Sequence, residues 1–345
     1  MKIKSISLKN ILLFAAVCIV LYGLYSVYEL LMPNTKSESE SEYLLIPTGS
    51  SLVKVFSILE KNDYLENLSS FKTMARRMGY NDKTVKPGRY KITQGMSNFN
   101  LIKLLKSGRQ TPVKFVLNSE RKIENLAAHL GDNFEADSLK FLEVLNSNQT
   151  LDLCDCKKEA LIGMFIPNTY EVYWNTKPIE IIKKLFSEEK RFWEAKNRVE
   201  KAQNLGLTKN EVMTLASIVE KETTYNPEKP RIAGLYFNRL TRDMKLQSDP
   251  TVVYAVGDFS LRRILHGHLT VTSPYNTYMN LGLPPGPICI PSISSIDAVL
   301  SMERNNFLYM CAKPNSEGSH SFATSYSEHL KFASEYRQWL DSRGI

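Results

Sequence analysis

The sequence predicts an α+β protein in which a single N-terminal membrane-spanning helix precedes a small α+β module and a larger mixed α+β domain. Three observations carry that prediction. The chain opens on an uncharged apolar run. Helical periodicity then alternates with short strand-like runs. Between residues 243 and 291, Pro, Gly, Asn and Tyr replace long apolar periods, as they do in functional loops.

The apolar run from Ile11 to Tyr28 holds 18 uncharged residues. As a helix it spans ~27 Å, close to the thickness of a bilayer core. Leu30, Leu31 and Met32 extend it. Lys2, Lys4 and Lys9 precede the run, whereas Glu29, Glu38, Glu40 and Glu42 follow it. The positive-inside rule therefore predicts a cytoplasmic tail over 1–10, a transmembrane helix over 11–32 and an extracytoplasmic remainder. Val27 to Met32 offers no small-x-small cleavage site, so an uncleaved single-pass anchor in the cell membrane is expected rather than a signal peptide. Val17 before Cys18, with the apolar run continuing beyond, argues against lipid attachment there.

Residues 33–42 are polar, acidic and without periodicity, which predicts a flexible tether. The net charge of +8 divides into +3 over residues 1–10, −3 over 29–42 and +8 over 43–345. A basic body outside the membrane suits an anionic envelope polymer or surface and excludes nucleic acid as a partner. Cys154-Asp155-Cys156 lacks the C-x-x-C spacing of a zinc knuckle or redox pair, which leaves isolated thiols or an incidental disulfide.

Residues 43–110 read as the small module. A strand over 43–47, helices over 51–59 and 68–78, a turn and strand over 86–92, and a helix over 98–105 closed by Ser107-Gly108 follow in order. The alternating Val113 to Leu117 opens the larger domain, 111–345. Helices are expected over 120–130 and 138–145, a surface loop over 146–160, an aromatic strand within 165–173 and a long helix over 179–202. Further helices are predicted over 232–240, 296–302 and 325–339, with a strand over 307–312.

The helix opening at Thr208 is the richest segment. Thr208 and Glu211 have capping-box spacing, and Val212, Leu215, Ala216 and Val219 form one apolar stripe. Glu220 falls at one edge of that stripe and Glu222 at the other. A carboxyl on such an edge can have its pKa raised by desolvation, as a general acid at neutral pH requires. Helical geometry alone does not choose between the two.

Downstream lie polar–aromatic clusters: Leu246-Gln247-Ser248-Asp249-Pro250-Thr251, Ser273-Pro274-Tyr275-Asn276-Thr277-Tyr278, Gly282-Leu283-Pro284-Pro285-Gly286-Pro287 and Gly318-Ser319-His320-Ser321-Phe322. Tyr and Asn on Pro-stiffened loops suit carbohydrate, through stacking on sugar faces and amide bonds to hydroxyl and N-acetyl groups. Together with the run from Leu215 to Thr223, these clusters stand in the order found in the endolytic murein transglycosylases, the YceG-like family, which the chain resembles over about residues 43–340. Val85 to Tyr90 and Ser107 to Gln110 resemble that family's LysM-like module.

The resemblance implies cleavage of the MurNAc-β-1,4-GlcNAc bond of nascent peptidoglycan strands, ending their elongation beside membrane-bound synthases. It implies Glu220 as the catalytic acid/base, the first acid of Val-Glu-Lys-Glu, with Glu222 left as a structural or electrostatic neighbour. One carboxyl suffices because the sugar's own C6 hydroxyl attacks C1, giving a 1,6-anhydro end without water. Gln247, Asp249, Tyr275, Asn276, Tyr278 and His320 are the expected substrate-binding residues. No cofactor and no metal are expected; His266-Gly267-His268 lacks an acidic or thiol partner at helical spacing. The chain departs from the family where Cys289-Ile290-Pro291-Ser292 replaces Asn-Pro-Gly and His329-Leu330 replaces His-Asn. A non-catalytic murein-binding scaffold and a muramidase-type hydrolase, the latter using Asp249 or Glu222 to activate water, are the alternatives.

Overall fold

The computed structural model describes residues 8–36, 42–261, 263–314 and 318–343, and it is mixed α and β as predicted. The chain divides into two compact units, one running to Val113 and including Glu171–Thr176, the other comprising Lys114–Tyr170 and Lys177–Ile345.

In the smaller unit the apolar run forms α1 (Leu8–Leu31), none of whose residues is buried and which is long and apolar enough to cross a membrane. Residues 1–7 of the expected cytoplasmic tail and 37–41 of the expected tether lie outside the described residues. Strands β1 (Glu42–Ile46) and, after α2 (Leu52–Lys61) and α3 (Leu68–Arg77), β2 (Gly88–Ile92) pair antiparallel, with Leu44 opposite Tyr90. Helix α4 (Asn98–Ser107) closes on Gly108, whose φ of 70° is the left-handed cap that glycine tolerates. Ser51, Asn67 and Ser97 each accept a backbone N–H at the start of α2, α3 and α4. Leu44, Ile46, Phe71, Tyr90 and Leu101 fill the small core between ribbon and helices.

The start of the expected tether is fixed rather than flexible. Asn34 and Thr35 are buried; Asn34 Nδ2 donates to Asn98 Oδ1 at 2.7 Å, and Asn98 Nδ2 donates to Glu29 O at 2.8 Å. Buried polar groups persist where they are hydrogen-bonded, and this network ties the end of α1 to the module. Composition marked these residues as solvated because it carries no trace of partners more than 60 positions away.

The larger unit follows with β3 (Val113–Leu117), α5 (Ile123–Asn133) and α6 (Ser138–Leu145). The stretch read as a surface loop contains α7 (Asn148–Cys154), capped by Ser147, and a 3-10 segment over Lys158–Met164. Cys154 and Cys156 are joined in a disulfide at its end. After β4 (Asn168–Val172), the predicted long helix is two: α8 (Pro178–Glu194) and α9 (Arg198–Asn204), separated where Lys196 and Asn197 take φ of 56° and 54°. Arg198 holds the second piece in its new direction through Asp297 at 2.7 Å and the Phe192 carbonyl at 2.8 Å.

Helices α10 (Lys209–Glu222), α11 (Lys229–Leu240) and α14 (Ile293–Leu300) form the centre of this unit, with α12 (Asp249–Val256) and α13 (His266–Leu269) interrupting the long loop region. Leu215, Ile218, Ile232, Leu246 and Ile296 are fully buried where these elements meet. Strands β5 (Tyr309–Ala312) and β6 (His320–Ala323) form an antiparallel hairpin, and α15 (Tyr326–Asp341) packs against it.

Candidate active site

Helix α10 is a rod buried through its middle that surfaces at its two ends. Both halves of the capping box are made: Thr208 N donates to Glu211 Oε2 at 2.8 Å, and Glu211 N donates to Thr208 Oγ1 at 3.2 Å. Every residue from Val212 to Val219 is buried, including two hydroxyls. Those hydroxyls are satisfied locally, Thr214 donating to Asn210 O and Ser217 to Thr214 O, each at 2.7 Å. Ser217 Oγ also accepts the Ile288 N–H at 3.0 Å, which docks the Pro-Pro-Gly-Pro-Ile loop on the helix. The last turn then delivers Glu220 and Glu222 into two different settings.

Glu220 points toward the start of α14. Its Oε2 accepts from Lys229 Nζ at 3.0 Å, from Ser295 Oγ at 2.6 Å and from Ser292 Oγ. Lys229 is itself buried. Burial pushes the Glu220 carboxyl up, but the bonds from Ser292, Ser295 and Lys229, with the ammonium charge, outweigh it and hold the pKa below the usual range. The raised pKa expected of Glu220 from its place on the helix is therefore corrected. Edge position sets desolvation, and it does not reveal how many donors the neighbouring elements supply. Ser292, at the departure from Asn-Pro-Gly, is one of those donors.

Glu222 shows the opposite balance. Its Oε1 accepts from Ser248 Oγ at 2.6 Å and from Tyr236 Oη at 2.5 Å. Burial raises its pKa, the two hydroxyls only partly offset this, and the charge of Asp249 pushes in the same direction as burial. The residue keeps partial exposure despite its dense surroundings. Among the described residues, Oε2 has no hydrogen-bond donor, so that oxygen can carry a proton toward a ligand.

Two cavities meet at Glu222. One, of about 240 Å³, is lined by Glu222, Tyr236, Gln247, Asp249, Tyr278 and His320. The other, of about 1010 Å³, shares Glu222 and Asp249 and is bounded by Phe259, Arg263 and Ile264 of the loop before α13 and by α15. Four of the six expected substrate-binding residues, Gln247, Asp249, Tyr278 and His320, thus gather around Glu222. Tyr278 Oη donates to Asp249 Oδ1 at 2.7 Å. His320 is fixed by buried Glu228, which accepts its backbone N–H at 3.0 Å and lies 3.0 Å from Nδ1. Gln247 takes φ of 51°, a left-handed strain of the kind retained at functional sites.

The other two expected contacts stand elsewhere. Asn276 is fully buried, and its amide donates to Leu269 O and Val271 O while its oxygen accepts the Tyr278 N–H at 3.0 Å. It shapes the loop that presents Tyr278, with both amide hydrogens spent on that loop. Tyr275 packs on Tyr254 at 4.6 Å beside a separate cavity of about 850 Å³. Thr277 stitches the two loops together, accepting Ser248 N–H at 3.0 Å and sharing a proton with Thr251 Oγ1 at 2.8 Å. Sequence reasoning missed Tyr236, Ser248 and Glu228. Ser248 lay inside a quoted motif, whereas nothing in the sequence pointed to Tyr236 on the following helix.

Comparison with known proteins gives consistent results. The profile of the YceG-like family matches residues 44–335. The chain is 30% identical over 325 residues to the endolytic murein transglycosylase of Bacillus subtilis (strain 168), covering 89% of this chain and 88% of that protein. It is 28% identical to the endolytic murein transglycosylase of Streptococcus pneumoniae serotype 2, covering 91% of this chain and 62% of that longer protein. A crystal structure of a yceG-like protein from Listeria monocytogenes superposes with a TM-score of 0.58 at 28% identity, covering 85% of this chain and 98% of the other.

Proposed function

The chain belongs to the YceG-like family, and from that premise we propose that it is an endolytic lytic transglycosylase of peptidoglycan, with Glu222 rather than Glu220 as its acid/base. The observation that carries this reading is the environment of Glu222. Its carboxyl is held above the usual range, one oxygen is anchored by Ser248 and Tyr236, and the other is open where two cavities meet. A general acid needs this combination of retained proton, fixed orientation and access. Glu220, gripped by Lys229 and two serines and held ionised, serves as the anchor between α10, α11 and α14.

In the proposed reaction Glu222 gives its proton to the glycosidic oxygen as the bond from the MurNAc C1 breaks. The resulting carboxylate then removes the proton from the C6 hydroxyl of the same sugar, whose oxygen bonds to C1. A 1,6-anhydro end and a free GlcNAc 4-hydroxyl result, with no water consumed and the proton returned to Glu222. Asp249 and the Tyr278 hydroxyl it accepts from supply negative charge and dipole near the oxocarbenium-like transition state. α1 is a single-pass anchor with its N-terminus inside, and the small unit is a LysM-like module held near the membrane by the Asn34–Asn98 network. The enzyme thereby works on strands nascent at the membrane, beside the synthases that make them.

The product decides between this and the hydrolytic reading, which Asp249 beside Glu222 favours by offering a second carboxylate. The full-length protein in detergent is incubated with glycan strands and the fragments are weighed. Ends lacking one water, as 1,6-anhydro-MurNAc, support the transglycosylase. Reducing ends would establish a muramidase instead, and binding without cleavage would leave a scaffold.

A further inference from the structure

The two cavities that meet at Glu222 differ in charge as well as size. The narrow one has Arg239 in its wall, and that guanidinium is engaged by protein: it donates to Leu308 O at 2.6 Å, to Leu246 O at 2.8 Å and to Lys245 O at 3.2 Å. The wide one, of about 1010 Å³, brings Arg121, Lys221, Arg263 and Arg337 together from four separate stretches of chain. Among the described residues none of these four is paired with a carboxylate. Lys221 reaches Ser119 Oγ at 3.3 Å, Arg121 lies 4.7 Å over the Phe259 ring, and Arg337 Nε donates to Ala333 O at 3.2 Å. Asp249, Asp341 and Glu222 face the same space, so cations remain in excess. Between them the wall is apolar, formed by Phe259, Leu261, Ile264 and Leu340.

We propose that this wide arm is a subsite for the carboxylates of the peptide stem carried by the sugar beside the cleaved bond. The inference rests on the reading of the chain as a peptidoglycan-cleaving enzyme and names what it selects. With the MurNAc lactyl carboxyl in amide linkage to the stem, the N-acetylated backbone is uncharged, so these four cations have nothing to answer in the backbone itself. A short stem offers free carboxylates for guanidinium forks and aliphatic side chains for the apolar wall. The volume holds a stem as well as a sugar. Asymmetry across Glu222 then sets the direction in which a strand lies, stem-bearing residue toward Arg263 and α15.

The test uses the full-length Glu222→Gln variant, which binds without turnover, and fluorescent strands of matched length in three forms: stem-bearing, stem-bearing with amidated carboxylates, and stripped of stems with the freed lactyl carboxylates amidated. Stem-bearing strands should bind about tenfold tighter than stripped or amidated ones at low salt, with the preference shrinking at high salt. In the added presence of Arg263→Gln and Arg337→Gln, both exposed and outside the core, the preference should fall toward one. Equal binding of free-acid and amidated stems, or a preference unchanged by the two substitutions, overturns the subsite. Displacement by inorganic pyrophosphate with no preference for stems would assign the cations to phosphate and overturn it equally. Failure of the wild-type protein to cleave any strand would sink the proposed activity while leaving this binding preference measurable.

Discussion

Lys229 Nζ stands 3.0 Å from Glu220 Oε2 with both side chains largely removed from solvent, at 5% and 18% exposure. The pair joins the last turn of α10 to the first turn of α11. Two residues further on, Glu222 has no ammonium partner among the described residues and is held by hydroxyls instead.

Replacing Lys229 by Met should therefore cost about 3 kcal/mol, because the ionised Glu220 is left without its counter-charge. Adding Glu220→Gln to that variant should recover much of the loss. Chemical denaturation of the wild type and the three variants checks this, and additive losses in the double variant would refute the coupling.

The same contact fixes a pH dependence of stability. Glu220 has a folded-state pKa lowered from its ordinary value of 4.5. Its contribution is present above that unfolded value and is lost as pH falls through the folded one. Glu222 runs the other way: its raised pKa stabilises the fold below the unfolded value, and that gain is lost as pH rises through the folded one. Melting curves between acid and neutral pH should show Glu220→Gln flattening the acid limb. A limb identical to wild type would remove Glu220 from that role.

Thr277→Val tests the stitching of the two loops. It removes the acceptor of Ser248 N–H and the partner of Thr251 Oγ1, both in buried surroundings. Ser248 also positions Glu222, so kcat should fall by about tenfold or more while the fold loses about 2 kcal/mol. A destabilised variant with unchanged kcat would show that Ser248 keeps its place without Thr277.

Gly286→Ala separates packing from chemistry in the Pro-Pro-Gly-Pro motif. A Cβ built there would lie 2.0 Å from the Glu159 carbonyl oxygen, which only backbone movement could relieve. Loss of about 2 kcal/mol in stability is expected, read as a lower melting temperature. Wild-type stability would mean that the loop does not sit against Glu159.

Local patterns carried most of the fold. Ser138 to Leu145 and Val113 to Leu117 are found at the predicted bounds because capping residues and strict alternation mark them locally. The break at Lys196-Asn197 was hidden, since the chain there keeps helical composition and the turn is enforced from Asp297, about a hundred residues away. The candidate site divides along the same line. Gln247, Asp249, Tyr278 and His320 were visible as dense motifs, and Glu222 was visible as one of two equivalent edges of a helix. What distinguishes the edges is Lys229 and Ser295 on one side and Tyr236 and Ser248 on the other, and those contacts belong to tertiary structure. Asn276 shows the converse, a residue conspicuous in its motif yet with both amide hydrogens engaged by its own loop.

The most direct measurement compares Glu222→Gln with Glu220→Gln for cleavage of glycan strands across a range of pH, with folding verified by circular dichroism. Glu222→Gln should lose about a thousandfold in kcat, and wild-type activity should fall as pH rises through the raised pKa of Glu222. Glu220→Gln should retain most of its turnover and show its defect in stability. An inactive Glu220→Gln beside an active Glu222→Gln would contradict the account.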